Sequence, residues 1–122
     1  HGRVARAGAM DALVKLGRHG NAECKYRAVE CLDAFAYDAA STKLVSRANA
    51  VSMSQKLLYA RAPEPRGAAA RVCLKVASVS ESLRLDVASF ELAAPMAVLA
   101  ADNVSPEITV EAACALHMLS RN

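Results

Sequence analysis

The sequence predicts an all-α protein, a helical solenoid of about three repeated units. The first observation is a repeat of 42 residues in which an alanine precedes a leucine by four positions: Ala28 and Leu32, Ala70 and Leu74, Ala112 and Leu116. A fixed period of this length is the signature of stacked repeats. The second observation is that strict alternation of apolar and polar residues, the pattern of a half-buried strand, never persists. Helices are therefore the expected element throughout.

Composition limits the size of the protein and the kind of core it can build. The chain has 122 residues, about one domain. It is 54% hydrophobic but only 4% aromatic and has no tryptophan, so the core must consist of alanine, valine, leucine and methionine. Thin helical layers suit such side chains. We expect one repeat domain, with approximate units at residues 1–40, 41–79 and 80–122, belonging to a longer array.

The first unit is predicted to contain a medium helix and a long helix. An apolar stripe over residues 9–18 indicates the medium helix, and residues 22–37 carry inward-facing apolar positions typical of the long one. Gly8 is placed where a short helix would meet the medium helix, because glycine permits a sharp turn without steric cost. Only residues 1–7 then remain of the short helix.

The second unit is predicted to run in the order short, medium and long helix. Ser41 is an N-cap candidate for the short helix, which we expect to end near Asn49, since a hydroxyl can accept a first-turn N–H. Residues 50–61 form the medium helix. Pro63 favours the start of the next helix, because proline is tolerated in a first turn, and the long helix then covers residues 66–79.

The third unit repeats this order. Ser80 is a second N-cap candidate, for a short helix that ends near Ser89. Residues 91–101 form the medium helix. Ser105, followed by a proline and a glutamate, is a strong start signal for the last helix, which we expect to end near Ser120.

Three segments of the first unit carry a resemblance to a known family. Residues 7–16 read Ala-Gly-Ala-Met-Asp-Ala-Leu-Val-Lys-Leu and resemble the AGAIPALVxLL segment of armadillo repeats. Residues 20–23 match the GNxE loop of that family, and residues 28–36 follow its AAxALxNLA helix. The later units match more loosely, with Asn49 and Glu91 in place of the glycine. HEAT repeats, with two helices each, are the near neighbour.

The resemblance implies a right-handed α-α superhelix of armadillo-like three-helix repeats. It also implies that the third helices line a groove that holds an extended peptide or a helix of a protein partner. We call the positions that the resemblance places along this surface the predicted groove set: Arg27, Glu30, Asp33, Ala34, Ala69, Val72, Lys75, Val76, Glu111, Cys114, His117 and Met118. The set contains no tryptophan or asparagine, so nuclear-signal binding of the importin-α type is not expected.

Two interpretations of these groove positions remain open. The apolar members Val72, Val76, Cys114 and Met118 could receive apolar side chains of a partner. They could equally pack against neighbouring layers as core. The protein itself could be a scaffold that binds a partner segment or a structural subunit packed permanently in a large assembly.

A third hypothesis is a nucleic-acid-associated module that uses residues 1–75. This segment has 13 basic and 6 acidic residues, a net charge of +7, whereas residues 76–122 carry −4. The basic side chains could bind phosphates or an acidic protein tail: Arg3, Arg6, Lys15, Arg18, Lys25, Arg27, Lys43, Arg47, Lys56, Arg61, Arg66, Arg71 and Lys75. Aromatic residues do not interleave with them, so a base-stacking platform is not indicated.

Catalytic, metal and cofactor sites are not expected. The histidines do not stand with a nucleophile and an orienting group, and no cysteine pair has CxxC spacing. We expect the four cysteines to be free thiols of an intracellular, cytoplasmic protein. The apolar last helix is followed by no covering segment, which predicts that flanking repeats or a partner cover both ends of the domain.

Overall fold

A computed structural model describes residues 2–47, 50–102 and 105–120, and all regular structure within these ranges is helical. This confirms the all-α prediction. The eight helices described are α1 (Gly2–His19), α2 (Ala22–Phe35), α3 (Ala39–Arg47), α4 (Ala50–Leu57), α5 (Pro63–Ala77), α6 (Glu81–Ala88), α7 (Ala93–Asp102) and α8 (Pro106–Ser120).

The long helices α2, α5 and α8 are neighbours, because α5 packs against both of the others. Each also packs against the medium helix before it, namely α1, α4 and α7. A single apolar cluster extends through these contacts, and Leu32, Met96 and Leu99 are fully buried within it. Burial of such a side chain contributes about 1.5–3 kcal/mol, so this cluster holds the helices in one compact fold.

The turn predicted at Gly8 is wrong. Helix α1 runs without interruption from Gly2 to His19 and passes through this residue. Glycine permits a turn but does not impose one, and its neighbours here are good helix formers.

The N-terminal caps are confirmed at two of three predicted positions. The Ser80 hydroxyl accepts the N–H of Leu83 at 3.2 Å, and the Ser105 hydroxyl accepts that of Ile108 at 3.2 Å. Before α3 the cap is Asp38 and not Ser41. The Ser41 N–H donates to the Asp38 carboxylate at 2.7 Å, while the Ser41 hydroxyl accepts the Asp38 N–H at 3.1 Å, a reciprocal capping box.

The connection between α6 and α7 contains a residue in a left-handed backbone conformation. Glu91 has φ of 56°, and its N–H donates to the carbonyl of Ala88 at 3.2 Å. An L-amino acid with a side chain adopts this conformation at a cost, so the turn into α7 is made by a residue that does not favour it.

Several sequence predictions lie outside the described part of the chain. They concern Asn49 and the side chains of Arg3, Arg6, Arg18 and Arg47. Across the ranges that the structure does describe, the helices lack the combination of length and hydrophobicity that a bilayer span requires.

Candidate interaction surface on the long helices

An ion network joins the three long helices. Arg71 on α5 contacts the Asp33 carboxylate on α2 at 3.2 Å and makes a two-point contact with Glu111 on α8, at 2.7 Å from Nε and 3.3 Å from Nη2. Lys75, one turn further along α5, lies 2.7 Å from the Asp33 carboxylate. We call these four residues the interhelix network. It fixes the position of α2 and α8 relative to α5.

The network residues are only partly exposed to solvent, which strengthens their electrostatic contacts. The exposed side-chain fraction is 13% for Asp33, 20% for Glu111 and 39% for Arg71. The hydrogen bond to Glu111 raises the pKa of Arg71 above its ordinary value, although burial acts in the opposite direction. Lys75 also donates to the main-chain carbonyl of Asp33 at 2.9 Å, and this carbonyl lies near the negative C-terminal end of α2.

Three members of the predicted groove set on α5 do not face a partner. Ala69, Val72 and Val76 are each 0% exposed and belong to the apolar core. Their assignment to a surface that contacts a partner is therefore corrected. The physical reason is the central place of α5, which packs against α2, α4 and α8 and leaves these side chains without access to solvent.

On α2, three members of the predicted groove set are exposed to solvent. Arg27 pairs with Glu23 at 2.9 Å and with Glu30 at 3.0 Å, and its guanidinium lies 4.9 Å from the centre of the Tyr26 ring. Ala34 is exposed beside them. This part of the surface is charged, and because one arginine is shared by two glutamates the three side chains carry a net charge of −1.

On α8, the remaining members of the set form a more apolar surface. Cys114 and His117 are exposed, and Met118 is half-buried. The Met118 sulfur accepts a hydrogen bond from the Ser78 hydroxyl at 3.3 Å. Met118 therefore belongs largely to the contact between α5 and α8.

One exposed apolar side chain on α8 was not predicted. Val110 is 59% exposed and lies one turn before Cys114 on the same side of the helix. We call Val110, Cys114 and His117 the α8 strip. The positions 42 residues earlier are Ala68, Val72 and Lys75, of which Ala68 is 5% exposed and Val72 0%. The i, i+4 spacing of Val110 and Cys114 was a sequence signal for this strip.

Two depressions lie away from the long-helix surface. One, of about 490 Å³, lies between the end of α4 and α7 and includes Tyr59, Val98 and the pair formed by Arg66 and Asp102 at 2.5 Å. The other, of about 240 Å³, is lined by parts of α4, α5 and α6. Neither contains a histidine or a cysteine that could serve as a base or nucleophile. Among the described residues, His, Cys, Asp and Glu do not gather into a group of three that could hold a metal ion.

Several residues of the predicted phosphate-binding set already have acidic partners. Arg27 pairs with two glutamates, Arg66 with Asp102, and Arg71 and Lys75 with residues of the interhelix network. A phosphate would have to compete with these carboxylates. Two of the partners, Asp102 and Glu111, lie outside residues 1–75, so the net charge of this segment overstates the positive potential that it offers to a ligand.

Comparison with known proteins identifies a structure of similar fold but does not assign the chain to a family. No protein-family model matches the chain, and no curated protein matches it. Its structure is similar to the crystal structure of an engineered protein studied by the Northeast Structural Genomics Consortium, with a TM-score of 0.75 and 24% sequence identity. The similarity covers 89% of this chain and 45% of that protein, so the chain spans about half its length. At this identity the comparison supports a compact helical fold alone.

Proposed function

We propose that this chain is a non-enzymatic protein-interaction scaffold, a right-handed solenoid of armadillo-like repeats that binds a partner segment along α2, α5 and α8. The α8 strip is the observation that carries the proposal. It exposes Val110 and Cys114 at positions whose equivalents in α5 are buried. Large exposed apolar side chains that adjoin a rigid charged network are typical of surfaces that contact another protein.

The chemistry of the surface suggests the chemistry of its partner. Val110 and Cys114 suit an apolar side chain, whereas Arg27 and Glu30 on α2 offer charges of both signs. The partner is therefore an extended peptide or a helix with an apolar anchor at one end and a charged or polar segment at the other. The interhelix network makes the platform rigid, which lowers the entropy lost on binding.

The alternatives have different support. A nucleic-acid role for residues 1–75 is weakened by the carboxylate partners of Arg27, Arg66, Arg71 and Lys75. A structural subunit in a large assembly would use the same exposed surface but would not release its partner. The buried free thiol of Cys73 accords with an intracellular location.

Capture of partners from a native extract, with and without nuclease, tests the proposal. We would compare the wild type with Val110→Asp and Glu30→Lys, both on the proposed surface. The matched control is Leu85→Asp on α6, where the leucine is 50% exposed. A nuclease-resistant protein that is lost with both surface variants and retained with the control would support the scaffold. Equal retention by all three variants, or loss of every partner with nuclease, would contradict it.

A further inference from the structure

The larger depression, between the end of α4 and α7, lies where the chain departs from its 42-residue repeat. Between α1 and α4 the sulfur of Met53 occupies the space beside Gly17, where an added Cβ would overlap it. The residues 42 positions later are Tyr59 and Pro95, and both line the depression. A tyrosine and a proline ring do not pack as a glycine and a flexible thioether do, so a space of about 490 Å³ is left open here.

Much of the lining of this depression is apolar. Leu58 and Pro95 are buried, whereas Tyr59 is 69% exposed and Val98 55% exposed. The exposure of Val98 does not come from its place in the last unit, because Lys56, 42 residues earlier on α4, is exposed as well. This helix position therefore faces solvent in both units, and at α7 it carries an apolar side chain beside an exposed tyrosine.

The charged side chains of the depression leave one positive charge unmatched. Arg66, whose side chain is 11% exposed, contacts the Asp102 carboxylate through Nη1 at 2.5 Å. Its Nε is buried and, among the described residues, has no hydrogen-bond partner. Arg61 lines the same space, is exposed, and has no acidic partner within the part of the chain that the structure describes. Two arginines and one aspartate give the lining a net charge of +1, which suits a carboxylate.

An extended peptide fits this lining better than a free small molecule. Small-molecule sites enclose most of the surface of their ligand. At this site Tyr59 and Val98 are each more than half exposed, so a small ligand beside them would keep much of its own surface in water. A peptide continues beyond the depression and covers such a rim. Tyrosine and arginine, both present here, are also the side chains that most often carry the binding energy of protein–protein contacts.

We propose that this depression is a second binding site, for a peptide of a protein partner that places an apolar side chain against Tyr59 and Val98 and an adjacent carboxylate at Arg61 and Arg66. The carboxylate supplies a further acceptor for the two guanidinium groups, and the apolar side chain displaces water from the exposed rim. The α8 strip does not contribute to this lining, so the site does not depend on partner binding along the long helices.

Titration of the isotope-labelled chain with a synthetic peptide, followed by NMR, tests the proposal. The probe is acetyl-Ala-Leu-Glu-Ala-amide, and its neutral counterpart has glutamine in place of the glutamate. We expect the amide signals of Tyr59 and Val98 to shift with the glutamate peptide. The glutamine peptide should bind about fivefold or more weakly, because its contact with the arginines is no longer charge-assisted.

Two pairs of variants locate the binding. Val98→Asp and Arg61→Glu alter the depression and should each weaken binding of the glutamate peptide about fivefold or more, because each places a negative charge beside the carboxylate. Leu85→Asp and Lys43→Glu make comparable exchanges at exposed positions outside the depression and should leave the affinity unchanged. Circular dichroism of each variant establishes that it is folded.

Several outcomes would overturn the proposal. They are an absence of shifts at millimolar peptide, equal affinity for the two peptides, and binding that Val98→Asp leaves intact. Tighter binding of 3-phenylpropionate, an apolar carboxylate without a peptide chain, would show a small-molecule site instead. Val110→Asp should abolish the capture of a partner on the long helices and leave this titration unchanged, so failure of the scaffold proposal and failure of the second site are separate results.

Discussion

The guanidinium of Arg71 makes a two-point hydrogen-bonded contact with the carboxylate of Glu111, 40 residues further along the chain. The same guanidinium reaches Asp33 on the other side, so one side chain connects all three long helices. The planar guanidinium presents its N–H groups in a fixed arrangement that matches a carboxylate, which a lysine cannot do. Arg71 therefore joins the long helices of successive repeats, because its two partners lie 38 and 40 residues away along the chain.

Removal of Arg71 should destabilise the fold. Arg71→Ala leaves Glu111 without its partner and Asp33 with Lys75 alone, and we expect a loss of about 1–2 kcal/mol in the free energy of unfolding, a value reduced because Arg71 is partly exposed. Urea denaturation measures it. The control is Arg27→Ala, which breaks two more exposed ion pairs and should cost less than Arg71→Ala. Equal losses from both variants would show that the interhelix network does not stabilise the packing.

The thiol of Cys73 should make stability depend on pH in the alkaline range. Burial raises the pKa of Cys73 from 9.0 to about 12. The unfolded chain loses this proton above pH 9 while the folded chain keeps it, so the contribution is fully present below pH 9 and is lost as the pH rises toward 12. At pH 10 the loss is about 1.4 kcal/mol relative to neutral pH.

Comparison of variants isolates this contribution from other titrating groups. Cys73→Ala lacks the thiol, so its stability should fall less steeply between pH 8 and 10 than that of the wild type, although it starts lower because a small cavity is created. Val72→Ala also opens a small cavity but removes no titrating group, so it should keep the wild-type slope. Urea denaturation at each pH gives the slopes. Parallel curves for wild type and Cys73→Ala would contradict the assignment.

Local sequence signals predicted helix starts better than they predicted surfaces. Ser80 and Ser105 were identified because a capping hydroxyl depends only on the three residues that follow it. Asp38 and Ser41 are both good caps by type, and only the backbone path selects the aspartate. The burial of Val72 and Val76 depends on α2 and α8, which are distant in sequence. The phase of one helix cannot show whether an apolar side chain meets a partner or a neighbouring layer.

Replacement of Glu91 by glycine should stabilise the protein. The left-handed backbone at this position costs an L-amino acid about 1–2 kcal/mol, while glycine loses about 0.5–1 kcal/mol through its greater freedom in the unfolded chain. We therefore expect Glu91→Gly to gain about 0.5–1 kcal/mol. Glu91→Ala is the control, because it removes the carboxylate but keeps the strained backbone, and it should give no such gain. A similar gain from both variants would assign the effect to the charge.

Two glycines in the same helix should respond oppositely to the same substitution. A Cβ at Gly8 would have no atom within 4 Å, so Gly8→Ala should gain about 0.5–1 kcal/mol from the helix preference of alanine. A Cβ at Gly17 would overlap the sulfur of Met53, a buried side chain on α4. Gly17→Ala therefore forces α1 and α4 apart or moves Met53 from its place, and overpacking of this kind costs about 1–3 kcal/mol.

The contrast tests whether α1 and α4 approach each other as closely as the structure shows. The double variant Gly17→Ala with Met53→Ala removes the overlapping sulfur, so the added methyl group should cost less there than in the wild-type background, and a double-mutant cycle from thermal or urea unfolding measures the difference. Additive effects at residues 17 and 53 would mean that the two side chains do not meet. A gain at Gly17 equal to that at Gly8 would mean that α1 and α4 are not in contact at this point.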